Sequence, residues 1–436
     1  MTFRMFIDRL EKEGKLIHVK KECDVNLEVA NVLNALDEKP VIFEKVKNYD
    51  QKIVGGICGT RELIAMALGT NVEGIIQKII NAMENPVNPN IIENAPCQEV
   101  IMEDPDISKL PILKYLEKDG GRYIPSGIVI VKDPINGRNA CYHRLMEIDK
   151  NKFVARIIKQ RGTDKALENS KSEIEFAVCI GNSIPVLMAA ATSLPVDKDE
   201  MAMANALEKT DLVKCKTVNL EVPAECEYVI EGKITNELAT EGPFLDLTET
   251  YDGERQQQIF KVTAITHRKD PIMQVLLPGK SEHKMLMGMP KEPTIYNEVN
   301  KVVKCKNVNI TPGGCSWLHA VVQIEKQNPD DGMKALEAAF KGHGSLKRCI
   351  VVDDDINLFD SNDVEWALAT RFQANKDSVL KSDQPGSSLD PSGKHEKGKK
   401  TLTCKQGMDA TIPSEKNIVE FKRVEYPKVD IKNYLE

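Results

Sequence analysis

The sequence predicts an α/β (α+β) protein built in three parts. Helix-like and strand-like segments alternate over residues 1–97, short strand-like runs dominate 98–292, and alternation returns over 293–436. With 436 residues, 41% of them hydrophobic, the chain is long enough for two or three domains with a substantial core.

The opening "MTFRMFIDRLEKEGKLIHV" has the period of an amphipathic helix closed by Gly14, and neither the length nor the flanks of a signal peptide. "PVIFEKV" reads as a strand; "RELIAMAL" and "EGIIQKIINAME" read as helices. The Pro- and Asn-rich "NPVNPNIIENAP" at 85–96 reads as a connection. In the middle, "GIVIVKDP", "FVARIIKQ", "FAVCIGN", "VPAECEYVIEGKI", "QIFKVTAITHR" and "PIMQVLLP" are strand runs bounded by turn residues. Helices interrupt only at "SIPVLMAAATSLP" and "DEMAMANALE". Many short strands with few helices predict a barrel or a sandwich. Further on, "TIYNEVNKVVK", "DGMKALEAAFKG" and "SNDVEWALATRF" (capped at Ser361) predict helices, while "LHAVVQIEK" and "RCIVVDDDI" predict strands. The basic run "KHEKGKK" reads as a solvated loop.

A formal charge of -7 argues against a general nucleic-acid binder, and no uninterrupted apolar run is long enough to span a membrane. The eleven cysteines lie singly with no C-x-x-C, which predicts reduced thiols in a cytoplasm rather than a disulfide framework or a structural zinc site. Seven scattered histidines offer no H-E-x-x-H, so any metal is expected to take oxygen ligands. No G-x-G-x-x-G, P-loop or G-x-S-x-G elbow is present. "PGGCSW" (312–317) reads as a turn, and the acids of "VVDDDI" (351–356) as a strand end leading into the next helix.

Chemistry concentrates in segments that must be read together. "NACYHR" places Asn139 five residues before Arg144 on one strand, with "KNKFVARIIKQRG" expected as its hairpin partner. "DKDEMAMANALE" begins a helix with an acid, Glu200, and "VKCKT" and "VPA" follow. "EGPFLDLTETYDG" then sets Glu241 and Asp246 five apart around a Gly-Pro corner. This ordered set resembles the UbiD family of decarboxylases, which use prenylated FMN. The likeness extends to "VVDDDINLFDSNDVEWALATRFQANKD" and "KQGMDATIP" near the end.

The resemblance implies a flavin-reductase-like split β-barrel in the middle domain and an oligomerisation role for the last. It implies that Glu241, Arg144 and Asp246 form an acid–arginine–acid network beside the flavin, with Asp246 as proton donor. Tyr142, His143 and Arg144, Arg156, Ile157 and Ile158, and Arg161 with Gly162 match stretches that line the flavin. Asn139 and Glu200 match ligands of a divalent metal (Mn or Mg) that clamps the cofactor phosphate, with potassium as a further candidate ion. Gln160 stands where several relatives carry a histidine ligand, and a neutral amide is the weaker donor.

The implied reaction is non-oxidative decarboxylation of an α,β-unsaturated acid. The chain looks most like the compact archaeal branch of the family, which implies trans-anhydromevalonate 5-phosphate as substrate and isopentenyl phosphate as product, in a mevalonate route to isoprenoids. A 4-hydroxybenzoate-type aromatic acid is the alternative, and a flavin-holding protein without turnover is the non-enzymatic one. The implied partners are a flavin prenyltransferase as cofactor supplier and further copies of the chain, with no nucleic acid and no membrane. For a phosphorylated substrate, Lys280, His283 and Lys284 are the candidate second pocket.

The residue types suit such chemistry. A guanidinium is planar, always charged and able to grip a carboxylate with two bonds. An acid beside it can protonate the carbon that loses CO2. Gly242 and Pro243 would fix the corner that aims the acids.

Overall fold

The structure, a computed structural model, describes every residue except Lys397, Glu425 and Glu436, so Lys397 of the "KHEKGKK" run lies outside the described residues. The chain divides into two compact units. One holds Met1–Thr294, Ile310–Leu318 and Ser388–Ser392; the other holds Ile295–Asn309, His319–Ser387 and the chain from Gly393 onward.

The first unit is organised on a nine-stranded antiparallel sheet. Its path runs Tyr123–Ile124, Leu145–Asp149, Lys152–Ala155, Arg255–His267, Tyr228–Glu241, Ile174–Ile180, Ile128–Asp133 and Gly137–Tyr142, with Val100–Met102 beside Arg255–His267. Gly137–Tyr142 and Leu145–Asp149 lie towards opposite ends of this path, yet only His143 and Arg144 join them. Three peptide steps span about 11 Å at most. The sheet therefore curves enough to bring these two strand ends within about 11 Å of each other, and Arg144 sits at the seam between them.

Both faces of the curved sheet are covered. Ile128, Ile130, Ala177 and Cys179 pack in one buried cluster; Val129, Val131, Phe176, Val178 and Ile180 pack in another. A strand buried on both faces has no polar alternation to show, which is why these runs read as unbroken Val and Ile. The first cluster also takes the apolar faces of helices Phe3–Lys12, Arg61–Leu68, Ile75–Glu84, Ile184–Ala191 and Glu200–Leu207. Their ends follow the residue chemistry: Thr2 accepts from the Met5 N–H at 3.3 Å, Thr60 caps Arg61–Leu68, and Gly69 closes that helix at φ +66°.

Four local expectations are corrected. "PIMQVLLP" does not join the central sheet; Ile272–Gln274 pairs in parallel with Lys52–Val54 and completes a four-stranded sheet with Ile17–Val19 and Val41–Phe43. The strand of Asn139 pairs with Ile128–Asp133, whereas Lys152–Ala155 pairs with Leu145–Asp149, because the chain breaks at His143 and Arg144 to cross the seam. The 85–96 connection contains a short strand, Ile91–Ile92, beside Leu212–Val213. Asp360 rather than Ser361 caps the helix Ser361–Arg371, its carboxylate accepting from the Asn362 N–H at 2.9 Å.

The second unit carries a five-stranded sheet in the order Cys305–Ile310, His319–Ile324, Arg348–Asp353, Leu402–Asp409, Ser378–Pro385, with helices Asp331–Gly342 and Ser361–Arg371. The acids ending Arg348–Asp353 are structural: fully buried Arg371 donates to Asp353 at 3.0 Å and to both oxygens of Asp355 at 2.9 and 2.5 Å. "PGGCSW" is a turn, with Cys315 and Ser316 in the left-handed region. All eleven cysteines are unpaired. Among the described residues no helix is long and apolar enough to cross a membrane.

Candidate active site

The fourteen-residue strand Tyr228–Glu241 ends with Glu241 opposite Arg255. The chain then turns through Gly242, at φ +96°, and a cis bond to Pro243. It returns in a small hairpin that pairs Phe244 with Asp252 and Leu245 with Tyr251. A second loop presses on this corner. The Gly120 N–H donates to the Pro243 carbonyl at 2.9 Å, and a Cβ on Gly120 would lie 2.2 Å from the Gly242 oxygen. Asp246 opens the hairpin turn: its N–H donates to Thr250 O at 3.0 Å and its Oδ1 accepts from the Leu247 N–H at 2.6 Å. The other carboxylate oxygen is left for the seam.

There it meets Arg144. The guanidinium donates to both oxygens of Glu241 (Nε at 2.8 Å, Nη2 at 3.0 Å), to Asp246 Oδ2 from Nη1 at 3.3 Å, and to Asp252 Oδ2 from Nη2 at 2.9 Å. Four of its five N–H donors are thus engaged. Arg144 orders the acids, and a substrate carboxylate would find little of it free. Arg156 is less committed: its Nε stands 3.7 Å from Asp252, and Nη1 donates to Ile157 O at 3.2 Å. Arg255 takes both oxygens of Asp252 at 2.5 Å. Tyr123 donates to Glu241 Oε1 at 3.3 Å and stacks on Phe244 at 3.9 Å. Glu241 is fully buried, while the Asp246 side chain is 21% exposed.

The charges follow from this packing. Burial draws Arg144 down, but Glu241, Asp252 and Asp246 outweigh it and its pKa is raised, so it is a permanent cation. Arg156 is lowered by burial and by Arg255. Burial favours a neutral Asp252, yet Arg255 and Arg144 hold it below the usual carboxylate range. Nearby Asp119 is pushed up to about 6 by burial, and its Oδ1 is buried without a hydrogen-bond partner among the described residues. His283 is lowered by burial, with its Nδ1 accepting from the Gly279 N–H at 3.0 Å.

A second group lies along the strand Gly137–Tyr142. Glu200, the first residue of its helix, accepts from the Ala140 N–H at 2.9 Å and from Asn139 Nδ2 at 3.4 Å. Burial pushes Glu200 up to about 7. Asn139 Oδ1 is buried with no hydrogen-bond partner among the described residues, and a Cβ on Gly162 would lie 2.3 Å from it. An orphaned amide oxygen beside a carboxylate suits a hard divalent ion completed by phosphate oxygens. Among the described residues no cluster of three or more His, Cys, Asp or Glu could hold a metal. Gln160 is exposed at φ +61°, its N–H held by Asp164 at 2.8 Å.

The remaining expected flavin-lining residues divide. Both ring nitrogens of His143 are engaged, with Arg156 O and Thr163 Oγ1 at 2.8 Å each, and burial lowers it to about 4, so it is a neutral brace for the seam. Tyr142 donates to Leu187 O at 3.3 Å. Ile157 is buried and donates its N–H to Gln257, whereas Ile158 is 54% exposed. Arg161 is exposed and precedes the helix Gly162–Ser170. Near it stands Lys291, hydrogen-bonded to Ser193 and 5.8 Å from the Trp317 ring. Burial and the charge of Arg161 draw Lys291 down to about 8.

Sequence reasoning missed Asp252, Arg255, Tyr123, Asp119 and Lys291. Asp252 lay inside the quoted acidic stretch, but "YDG" reads as a turn. Only the hairpin register, Phe244 with Asp252, reveals that its acid faces Arg144.

Paired acids locked to an arginine, one of them partly exposed, give this site a group able to hold and pass a proton. The chain belongs to the UbiD family of carboxy-lyases. It matches the N-terminal, Rift-related and C-terminal domains of 3-octaprenyl-4-hydroxybenzoate carboxy-lyase at residues 7–83, 90–281 and 284–410. It is 42% identical over 413 residues to anhydromevalonate phosphate decarboxylase of Methanocaldococcus jannaschii, covering 93% of this chain and 96% of that protein. The UbiD-class enzyme HmfF from Pelotomaculum thermopropionicum, in complex with FMN, superposes with a TM-score of 0.95 at 36% identity over 100% of both chains. An evolved dimeric form of HmfF, in complex with prFMN, superposes at 0.91 and 35% identity over 100% of both chains.

Proposed function

We propose that this enzyme decarboxylates trans-anhydromevalonate 5-phosphate to isopentenyl phosphate, using prenylated FMN. The observation that carries the reading is the Glu241–Arg144–Asp246 array within a chain so similar to anhydromevalonate phosphate decarboxylase. When bound, the prenylated flavin supplies the electron sink that makes loss of CO2 from an unsaturated acid feasible.

The protein's part is positioning and proton delivery. Arg144 holds Glu241 with two bonds in a fully buried place, whereas Asp246 keeps one longer bond of 3.3 Å and partial exposure. Asp246 is therefore the acid able to reach a substrate carbon and recover a proton from solvent. Arg156, with its looser pairing, is the better seat for an incoming carboxylate. Arg161, Gly162 and Lys291 would receive the cofactor phosphate at a helix start, and Asn139 and Glu200 would supply two oxygens to a Mn or Mg ion on it. Catalysis is assigned to 98–292 and self-association to 293–436. A flavin prenyltransferase would supply the cofactor in a reducing cytoplasm.

Asp246→Asn tests the assignment. The variant should retain flavin at wild-type stoichiometry and lose turnover by roughly 10²–10⁴-fold, the span of general acid catalysis. Flavin retained with turnover intact would remove Asp246 from the chemistry.

A further inference from the structure

The turn that carries Asp246 holds a second acid. Glu249 sits at φ +60°, a left-handed conformation unfavourable for any residue with a Cβ, and its N–H donates to Asp246 O at 2.9 Å. Two lysines grip its carboxylate: Lys280 Nζ donates to Oε2 at 3.0 Å and Lys284 Nζ to Oε1 at 2.5 Å. Lys280 immediately precedes the helix Ser281–Gly288, and Lys284 follows one turn later. The two segments touch, since a Cβ on Gly279 would lie 3.1 Å from Asp246 O and 3.3 Å from Glu249 Cγ. Two ammonium groups thus stand within one turn of the proposed proton donor.

The local charge is unbalanced. Two cations share one carboxylate, and the other acids around this helix are engaged elsewhere: Asp37 and Glu38 by Ser281, buried Glu282 by the Gly56 and Cys58 N–H groups, and Asp246, which faces His283, by Arg144. The lysines hold Glu249 below the usual carboxylate range, Lys284 most strongly, so the pair already binds an anion. Side-chain exposure runs from 16% for Lys284 through 30% for Lys280 to 43% for Glu249. The acid is the member with most room to leave. Ion pairs this exposed are individually weak and screened, so a better anion can displace it.

We infer that Lys280 and Lys284 are the seat for the phosphate of a phosphorylated unsaturated acid, and that Glu249 is a built-in competitor occupying it until substrate arrives. This rests on the decarboxylase reading for its substrate. A phosphate monoester brings a charge of about -1.5 to -2 and three acceptor oxygens where Glu249 brings one charge and two oxygens. An acid without that group would leave the lysines with Glu249, so the exchange discriminates between substrates.

The test is calorimetric titration of inorganic phosphate into flavin-loaded protein, wild type beside Glu249→Gln, Lys284→Met, Lys284→Arg and Lys280→Met. Removing the competing charge should tighten phosphate about tenfold, and removing either ammonium should weaken it at least about tenfold, each step being one decade in Kd. Lys284→Arg should restore binding. The KM for trans-anhydromevalonate 5-phosphate should move in the same order with kcat changed less than about threefold, as expected for uniform binding. Phosphate binding unchanged in Glu249→Gln, or unchanged in Lys284→Met, overturns the inference. So does a loss that falls on kcat rather than KM. Phosphate binding in the stated order without turnover of the phosphorylated acid would leave the seat standing and defeat the decarboxylase reading instead.

Discussion

Removing Arg144 should destabilise the protein far more than removing its principal partner. In Arg144→Met, Glu241 stays fully buried and, among the described residues, keeps only the Tyr123 hydroxyl as a hydrogen-bond partner, at 3.3 Å. A buried charge stripped of its partner costs roughly 3–5 kcal/mol. The guanidinium also lies 5.6 Å from the Phe244 ring, a contact worth about 0.5–1 kcal/mol. The reverse change, Glu241→Leu, leaves Arg144 bonded to Asp252 and Asp246, so only one charged bidentate pair is lost, about 1.5–3 kcal/mol. Urea unfolding of the flavin-free single and double variants gives both values and their coupling. The double variant should be more stable than additivity predicts by about 1.5–3 kcal/mol, because neither charge is then left alone. At about 2 °C per kcal/mol for a chain of this size, Arg144→Met should melt roughly 7–12 °C lower. Additive losses, or a greater loss from Glu241→Leu than from Arg144→Met, would refute the reasoning.

Other consequences follow from the same packing. Burial pushes Glu282, which accepts from Gly56 and Cys58 N–H groups at 2.9 and 3.0 Å, up to about 7 from the ordinary 4.5. Between those values the folded state binds the extra proton, so this group's stabilisation is fully present below about pH 4.5 and is lost as pH rises to about 7. Glu282→Gln should remove that slope from a series of melts between pH 5 and 8, and an unchanged slope would exclude the group. Lys291, drawn down to about 8, should hold FMN well at pH 7 and more weakly at pH 9.5. Fluorescence titration of Lys291→Met should show weak binding at both pH values. Gly162→Ala would drive a methyl to within 2.3 Å of Asn139 Oδ1, so FMN and manganese retention should fall together while stability changes by about 1 kcal/mol or less. Retained binding on gel filtration would show that the Asn139 amide does not matter.

Much of this was legible wherever the signal is local. The period of "RELIAMAL" places that helix to the residue. The Gly-Pro corner announces that Glu241 and Asp246 are held in fixed relation, and the structure brings both to Arg144. What stayed hidden depends on long-range register. No pattern in "PIMQVLLP" says that its partner is Lys52–Val54, more than two hundred residues earlier, in parallel. Apolar runs buried on both faces conceal which strands neighbour one another, so the seam at His143 and Arg144 reads as a continuous strand. Asp252 and Arg255 look like turn residues until the Glu241–Arg255 register aligns them with the acids. Lys291 carries no local motif, because its depressed pKa arises from burial and from Arg161, far away in sequence.

The most direct measurement is anaerobic CO2 release by the protein reconstituted with prenylated FMN, manganese and potassium. It would be offered trans-anhydromevalonate 5-phosphate and 4-hydroxybenzoate in parallel, with Asp246→Asn alongside. The account predicts release from the phosphorylated acid alone, abolished in the variant while its flavin stays bound. Release from the aromatic acid alone would contradict the substrate, and release by Asp246→Asn at the wild-type rate would contradict the mechanism.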